Sequence, residues 1–158
     1  MTLQFGAALL VGVAAIVEDV ARRRISNWIP CSAFGLGVVV QTLAHGWAGV
    51  GSALLGTATG FVVFLIFYLL GGMGGGDVKL MAGFGALLGV RKLLEAALWT
   101  AACGGLLAAA VIGFDTARSL WRTYFARDTS VTGNSRVEAI PYAPAIAAGV
   151  WLSLVPKA

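Results

Sequence analysis

Six apolar runs follow one another along the chain, at about residues 2–18, 28–45, 50–70, 78–90, 93–114 and 140–156, separated by charges and glycines. A helix crossing about 30 Å of hydrocarbon needs roughly 20 predominantly apolar residues, so six of them use most of 158 residues. The pattern predicts an all-α, polytopic integral membrane helix bundle of about six transmembrane helices, a single membrane-embedded domain over residues 1–158 with no separate soluble domain. Only 11% of the residues are charged and 59% are hydrophobic, against roughly 25% charged in an ordinary soluble domain. The lipid bilayer is therefore the main surrounding of this chain. The run at 78–90 falls short of the roughly 17 residues of a normal crossing. It is expected to begin inside the glycine-rich segment before it or to span with help from its neighbours.

The net charge of +4 does not mark a nucleic-acid binder, because the basic residues lie between apolar runs and are not interleaved with base-stacking aromatics. Their distribution sets an orientation instead. With the loop after the first run in the cytoplasm, that side holds Arg22, Arg23, Arg24, Lys79, Arg118, Arg122, Arg127 and Arg136, and the other side holds only Arg91, Lys92 and Lys157. The positive-inside rule favours this arrangement. No positive residue precedes the first run, and three arginines follow it, which favours a retained helix over a cleaved signal peptide.

The segment 115–138 is expected to be a polar cytoplasmic loop. Within it Leu120, Trp121, Tyr124 and Phe125 alternate with arginines, and at helical spacing they can lie in the membrane interface. Residues 128–136 read as a mobile connection. Gly56 with Gly60 and Gly85 with Gly89 have the four-residue spacing of close helix packing, a surface that can also make a homo-oligomer. Cys31 and Cys103 have no partner at ligand spacing and read as small apolar core residues.

Seven acids remain for chemistry. Asp115, Asp128 and Glu138 belong to the polar segment, and Glu95 follows Arg91 by four positions, the spacing of a helical ion pair. Glu18 and Asp19 end the first run, and Asp77 begins the fourth on the same membrane side. Adjacent helical positions diverge by about 100°, so Glu18 and Asp19 cannot share a role; Glu18 reads as a secondary polar residue. Ionisable residues in membrane segments are costly and are functional candidates. Asp77 closes the run Gly71-Gly72-Met73-Gly74-Gly75-Gly76, a density of glycine that works against a continuous helix and lets backbone approach backbone. A phosphate loop needs Gly-Lys-Ser/Thr where this chain has Gly-Asp.

Two carboxylates on different helices suit acid/base hydrolysis of an amide. One ionised carboxylate activates water while the other, keeping its proton, donates to the carbonyl oxygen. That chemistry needs neither a metal nor a cofactor. His45, the single histidine, falls at the opposite end of the second run and reads as an interfacial residue.

Gly74-Gly75-Gly76-Asp77-Val78-Lys79 resembles the Gly-Xaa-Gly-Asp-Xaa-Lys signature of prepilin peptidases and related intramembrane aspartic proteases. Asp19 with Ile25-Ser26-Asn27 is similar to that family's first aspartate and its Ile-Pro-Asn element, with Ser26 in the proline position. Ile140-Pro141-Tyr142-Ala143-Pro144 resembles its Pro-Tyr/Phe-Gly-Pro segment, with Ala143 in the glycine position. The resemblance implies a membrane aspartic endopeptidase with Asp19 and Asp77 catalytic, and with Gly74, Gly75, Gly76, Lys79, Asn27, Pro141, Tyr142 and Pro144 binding substrate or supporting the site. It implies prepilin or pseudopilin precursors as substrates, each with a short basic leader before an apolar helix, cleaved after a glycine on the cytoplasmic side of a bacterial or archaeal cytoplasmic membrane. The sequence has no Cys-rich cytoplasmic region like that of the bifunctional members. It is similar to the short peptidase-only form of Flp-type, tight-adherence pilus systems. Lys79 would orient Asp77, meet an acidic residue of the substrate, or anchor the cytoplasmic face. The alternatives are a small cation-coupled transporter using Asp19 and Asp77 as an ion relay, and a noncatalytic assembly subunit whose glycines serve packing alone. A transporter would more naturally place its charges near mid-membrane.

Overall fold

The structure, a computed structural model, describes residues 2–71, 73–125 and 142–155. Five helices follow in order: α1 (Thr2–Arg22), α2 (Trp28–His45), α3 (Trp47–Leu69), α4 (Gly75–Phe125) and α5 (Ala143–Leu154). The described residues contain no strand, and the fold is an all-α membrane bundle. Much of its outward surface is leucine, valine, phenylalanine and tryptophan. In water such a surface would drive association; on apolar helices of this length it is what faces lipid.

Four helical stretches are long and apolar enough to cross: Leu3–Arg22, Trp28–His45, Trp47–Leu69 and Gly75–Arg118. The expected six is not reached by that measure, for two reasons. The expected fourth and fifth spans belong to one helical stretch interrupted at Gly89, and α5 has only 12 residues. Gly89 has φ +69° and ψ 168°, a conformation that glycine adopts readily and other residues do not. There the chain turns back. Leu87 and Lys92 both meet Gln4 near the start of α1, whereas Gly104 packs against Tyr142 at the start of α5. Asp77 and Gly104 thus lie toward one end of the bundle, with Gly89 at the other. The break at Gly89 leaves main-chain groups without helical partners, and the Leu87 carbonyl accepts from the side-chain amides of both Gln4 and Gln41.

The part of α4 before Gly89 is the centre of the molecule. Val78, Leu80, Met81, Phe84, Leu87 and Leu88 are all buried, on every side of the helix. At 1.5 Å per residue, residues 75–88 extend about 21 Å, less than the hydrocarbon thickness. A helix surrounded by protein on all sides need not satisfy the lipid-crossing length itself. Its neighbours approach closely through small residues. A methyl group on Gly85 would collide with the Gly56 carbonyl, and one on Gly60 would come 2.7 Å from the Met81 carbonyl oxygen. The Gly56/Gly60 spacing is therefore used within the chain, between α3 and α4.

Residues 115–125 of the expected polar segment are helical and continue α4; residues 126–141, including the rest of that segment and Pro141, lie outside the described residues. Two expectations are corrected. Gly75 and Gly76 belong to the first turn of α4, so the glycine run does not exclude helix along its full length. Cys31 is exposed on α2, where its neighbours are other outward-facing side chains, and only Cys103 is partly buried.

Candidate active site

Asp19 lies in the last turn of α1, one turn before the chain leaves the helix at Arg23, whose φ is +51°. Asp77 is the third residue of α4. The helices run in opposite directions and bring the two acids into one cavity of about 310 Å³ at the same end of the bundle, together with Arg23, Arg24, Ile25, Gly74 and Gly76. Each aspartate is only 8% exposed. Two ionisable side chains so nearly buried in an apolar bundle are costly unless hydrogen-bonded.

Each is held by a main-chain N–H at the start of a helix, where such groups lack helical acceptors. The Gly74 N–H donates to Asp77 Oδ2 at 3.2 Å, and the Asp77 N–H donates to the Gly74 carbonyl at 3.1 Å. This is the acidic half of a capping box, in which the third residue of a helix reaches back to the residue before its first turn. The Ala143 N–H, first in α5, donates to Asp19 Oδ2 at 3.2 Å. Asp19 thereby caps a helix 124 residues further along the chain. Both carboxylates are fixed by backbone groups, which have fewer ways to move than side chains.

Of the supporting residues that the resemblance implies, Gly74 and Gly76 line this cavity, and Gly75, Lys79, Asn27, Tyr142 and Pro144 do not. Gly76 faces Ile25, and a Cβ there would stand 3.2 Å from the Ile25 Cβ. Gly75 is in contact reach of Tyr68 and needs no special backbone conformation. Lys79 Nζ donates to Asn27 Oδ1 at 2.9 Å, so both residues tie α4 to the loop between α1 and α2. The contact seen for Lys79 is none of the three roles expected from sequence, and it joins two segments that line the cavity. Pro144 occupies the first turn of α5, where a missing N–H costs nothing. Tyr142 precedes α5, and its ring lies against Gly104.

Glu18 has a place that its sequence position did not reveal. It accepts hydrogen bonds from both the N–H, at 3.0 Å, and the hydroxyl of Ser26, and it lies 3.9 Å from Arg22. A proline at position 26 could not donate that N–H. Glu18 and Ser26 together brace the turn that carries Ile25 against Gly76, and only their eight-residue separation across a basic turn hinted at it. His45 ends α2 at the far end of the bundle, in a separate cavity with Gln41, Arg91 and Lys92. Among the described residues no three His, Cys, Asp or Glu side chains are grouped as metal ligands.

Fold and cavity define a multi-pass helical membrane protein with a buried pair of aspartates, from separate helices, at one end of the bundle. The type IV leader peptidase family matches residues 6–109, and the chain belongs to that family of peptidases. It is also 35% identical over 105 residues to the prepilin leader peptidase/N-methyltransferase of Bacillus subtilis (strain 168), a match spanning 65% of this chain and 35% of that protein. Asp19, Asn27, Gly74 to Asp77 and Lys79 lie inside the family match; Tyr142 and Pro144 lie beyond it. No solved structure matches the chain.

Proposed function

We propose that this protein is a membrane aspartic endopeptidase that removes the short basic leader from prepilins or pseudopilins, with Asp19 and Asp77 as its catalytic pair. The observation that carries the reading is the meeting of these two buried acids, 58 positions apart, in one cavity within a Gly-Gly-Gly-Asp turn. Water adds to the scissile carbonyl carbon and loses a proton to the ionised carboxylate, while the protonated partner donates to the carbonyl oxygen. The tetrahedral intermediate then collapses as the C–N bond breaks: the carboxyl that took water's proton passes it to the leaving amine, and a hydroxyl of the intermediate returns a proton to the other carboxylate. Neither a side-chain nucleophile nor a metal enters this scheme. Arg22, Arg23 and Arg24 cluster at the aspartate end, which supports a cytoplasmic cavity under the positive-inside rule. A leader held in the cytoplasm and followed by an apolar helix would present its junction there. Within this reading, the Flp-type precursors of tight-adherence systems are the substrate class we favour, with cleavage after glycine.

Incubation of the purified protein with such a precursor, in excess chelator, tests the proposal. Cleavage is expected, and Asp19→Asn and Asp77→Asn are each expected to reduce it by about 10²- to 10⁴-fold, the usual contribution of a positioned acid or base. Asparagine nearly preserves volume but cannot cycle a proton. Robust cleavage by either folded variant would rule out the pair, activity that returns only with zinc would replace the mechanism, and ion flux without proteolysis would favour the relay.

A further inference from the structure

Arg91 and Lys92 run against the charge bias of this chain. The positive-inside rule gathers most of the cations on the aspartate side and gives no reason for an adjacent pair at the other end. Both line a cavity of about 640 Å³ where the chain reverses at Gly89. Its walls come from four helices, with Gln4 from α1, Gln41 and His45 from α2, Ser52 from α3, and the α4 residues on either side of the break. Among the described residues that line it none is acidic, and Glu95 lies one turn beyond Arg91, outside the cavity. We propose that this cavity binds the phosphate of an anionic phospholipid headgroup. The inference is independent of the peptidase reading, because the site lies at the end of the bundle opposite the aspartates.

The donors are in place before any ligand arrives. The Leu87 carbonyl fixes the amides of Gln4 and Gln41, and Lys92 Nζ donates to Gln4 Oε1 at 3.4 Å, a long contact that engages one of the three ammonium protons. A Cβ on Gly89 would stand 2.7 Å from Ser52 Oγ and 3.2 Å from Gln41 Nε2. The bare glycine therefore leaves a hollow that both polar groups border. The stretch of α4 after Gly89 begins here and turns the positive end of its dipole to the same place. Two cations, a hydroxyl and side-chain amides match the charge and the several acceptor oxygens of a phosphate. The apolar part of the lining distinguishes a lipid from a free anion. Leu3 and Leu43 are exposed at the edge of the cavity, and the outward surface beyond them is apolar. Trp47, 90% exposed and two residues after His45, belongs at the depth where tryptophan meets headgroups. A phosphate held by Arg91 and Lys92 can thus send its acyl chains past these leucines into the bilayer, whereas a free anion gains nothing from them. A headgroup seated there touches four helices and ties the reversal at Gly89 to α1, α2 and α3.

The test uses the full chain in neutral detergent and native mass spectrometry, with phosphatidylglycerol and phosphatidylcholine of the same acyl chains offered together. Because the two lipids compete on one sample, partly unfolded protein cancels from the ratio of bound species. Each Lys or Arg near an anionic lipid contributes about fivefold in affinity, so the wild type is expected to favour phosphatidylglycerol by about 25-fold. Arg91→Gln is expected to lower that ratio about fivefold, and Arg91→Gln with Lys92→Gln to bring it close to one. Arg118→Gln, at an exposed arginine of the same helix far from the cavity, is expected to leave it unchanged. Equal binding of the two lipids by the wild type, or a preference that the double variant keeps, would overturn the site. An equal loss from Arg118→Gln and Arg91→Gln would replace it with diffuse surface attraction. Inorganic phosphate, substituted for chloride at equal ionic strength, is expected to displace little phosphatidylglycerol; full displacement would mean that the cavity holds a free anion, and the lipid assignment would fall.

Discussion

Ser26 shows how one side chain can replace the constraint of another. The family resemblance sets proline at this position, where a ring would fix the turn covalently; here Glu18 fixes it by accepting two hydrogen bonds from Ser26. The turn carries Ile25 to Gly76, next to Asp77, so its shape bears on the aspartate pair. Ser26→Ala keeps the N–H donor and removes the hydroxyl, whereas Ser26→Pro removes both. Thermal unfolding in detergent is expected to rank wild type above Ser26→Ala and Ser26→Ala above Ser26→Pro. Ser26→Pro combined with Glu18→Gln is expected to recover part of the loss, because the acid no longer lacks donors; a double variant less stable than Ser26→Pro alone would refute the brace. Glu18→Gln by itself retains an oxygen acceptor and is expected to keep leader cleavage within about threefold, a small fraction of the loss expected for a positioned acid or base.

At the scale of elements, the central contact is α3 on α4, where Gly56 and Gly85 bring the two backbones together. Between lipid-embedded helices there is no water-driven force to hold them, so close packing and hydrogen bonds carry the association. Gly85→Ala adds a methyl group that meets backbone, which cannot rotate aside. It is expected to destabilise the fold by about 1–3 kcal/mol, the usual range for overpacking, seen as a lower unfolding midpoint. Gly51→Ala, also in α3 but with open space around it, is expected to be neutral or to stabilise by about 0.5–1 kcal/mol through helix propensity. Equal effects from both substitutions would mean that propensity, not close approach, governs these glycines. The same interface explains why GxxxG spacing alone does not indicate a dimer here, since Gly56, Gly60 and Gly85 are already covered within one chain.

For the whole molecule, the positions of the aspartate and His45 ends predict opposite membrane exposure. After Cys31→Ser and Cys103→Ser, a cysteine placed at Arg24 is expected to react with a membrane-impermeant thiol reagent only from the cytoplasmic side, and one at His45 only from the other. Labelling of both from the same side would overturn the topology and the cytoplasmic cavity with it. The sequence by itself determined that this is an apolar helical bundle, because six hydrophobic runs with so few charges leave lipid as the surrounding. It also marked Asp19 and Asp77 as candidates, because buried acids are rare enough in such a chain to be counted one by one. Only the tertiary structure decided that they share a cavity, that Asp19 is held by the start of α5, and that Glu18 braces Ser26. It alone placed the chain reversal at Gly89 and made the short central helix independent of bilayer thickness. Hydrophobic periodicity is a property of neighbours along the chain and reads directly from sequence. A hydrogen bond across 124 positions, or a cavity between the ends of two helices, depends on where each helix ends and how closely its neighbours can approach, and no local pattern carries that information.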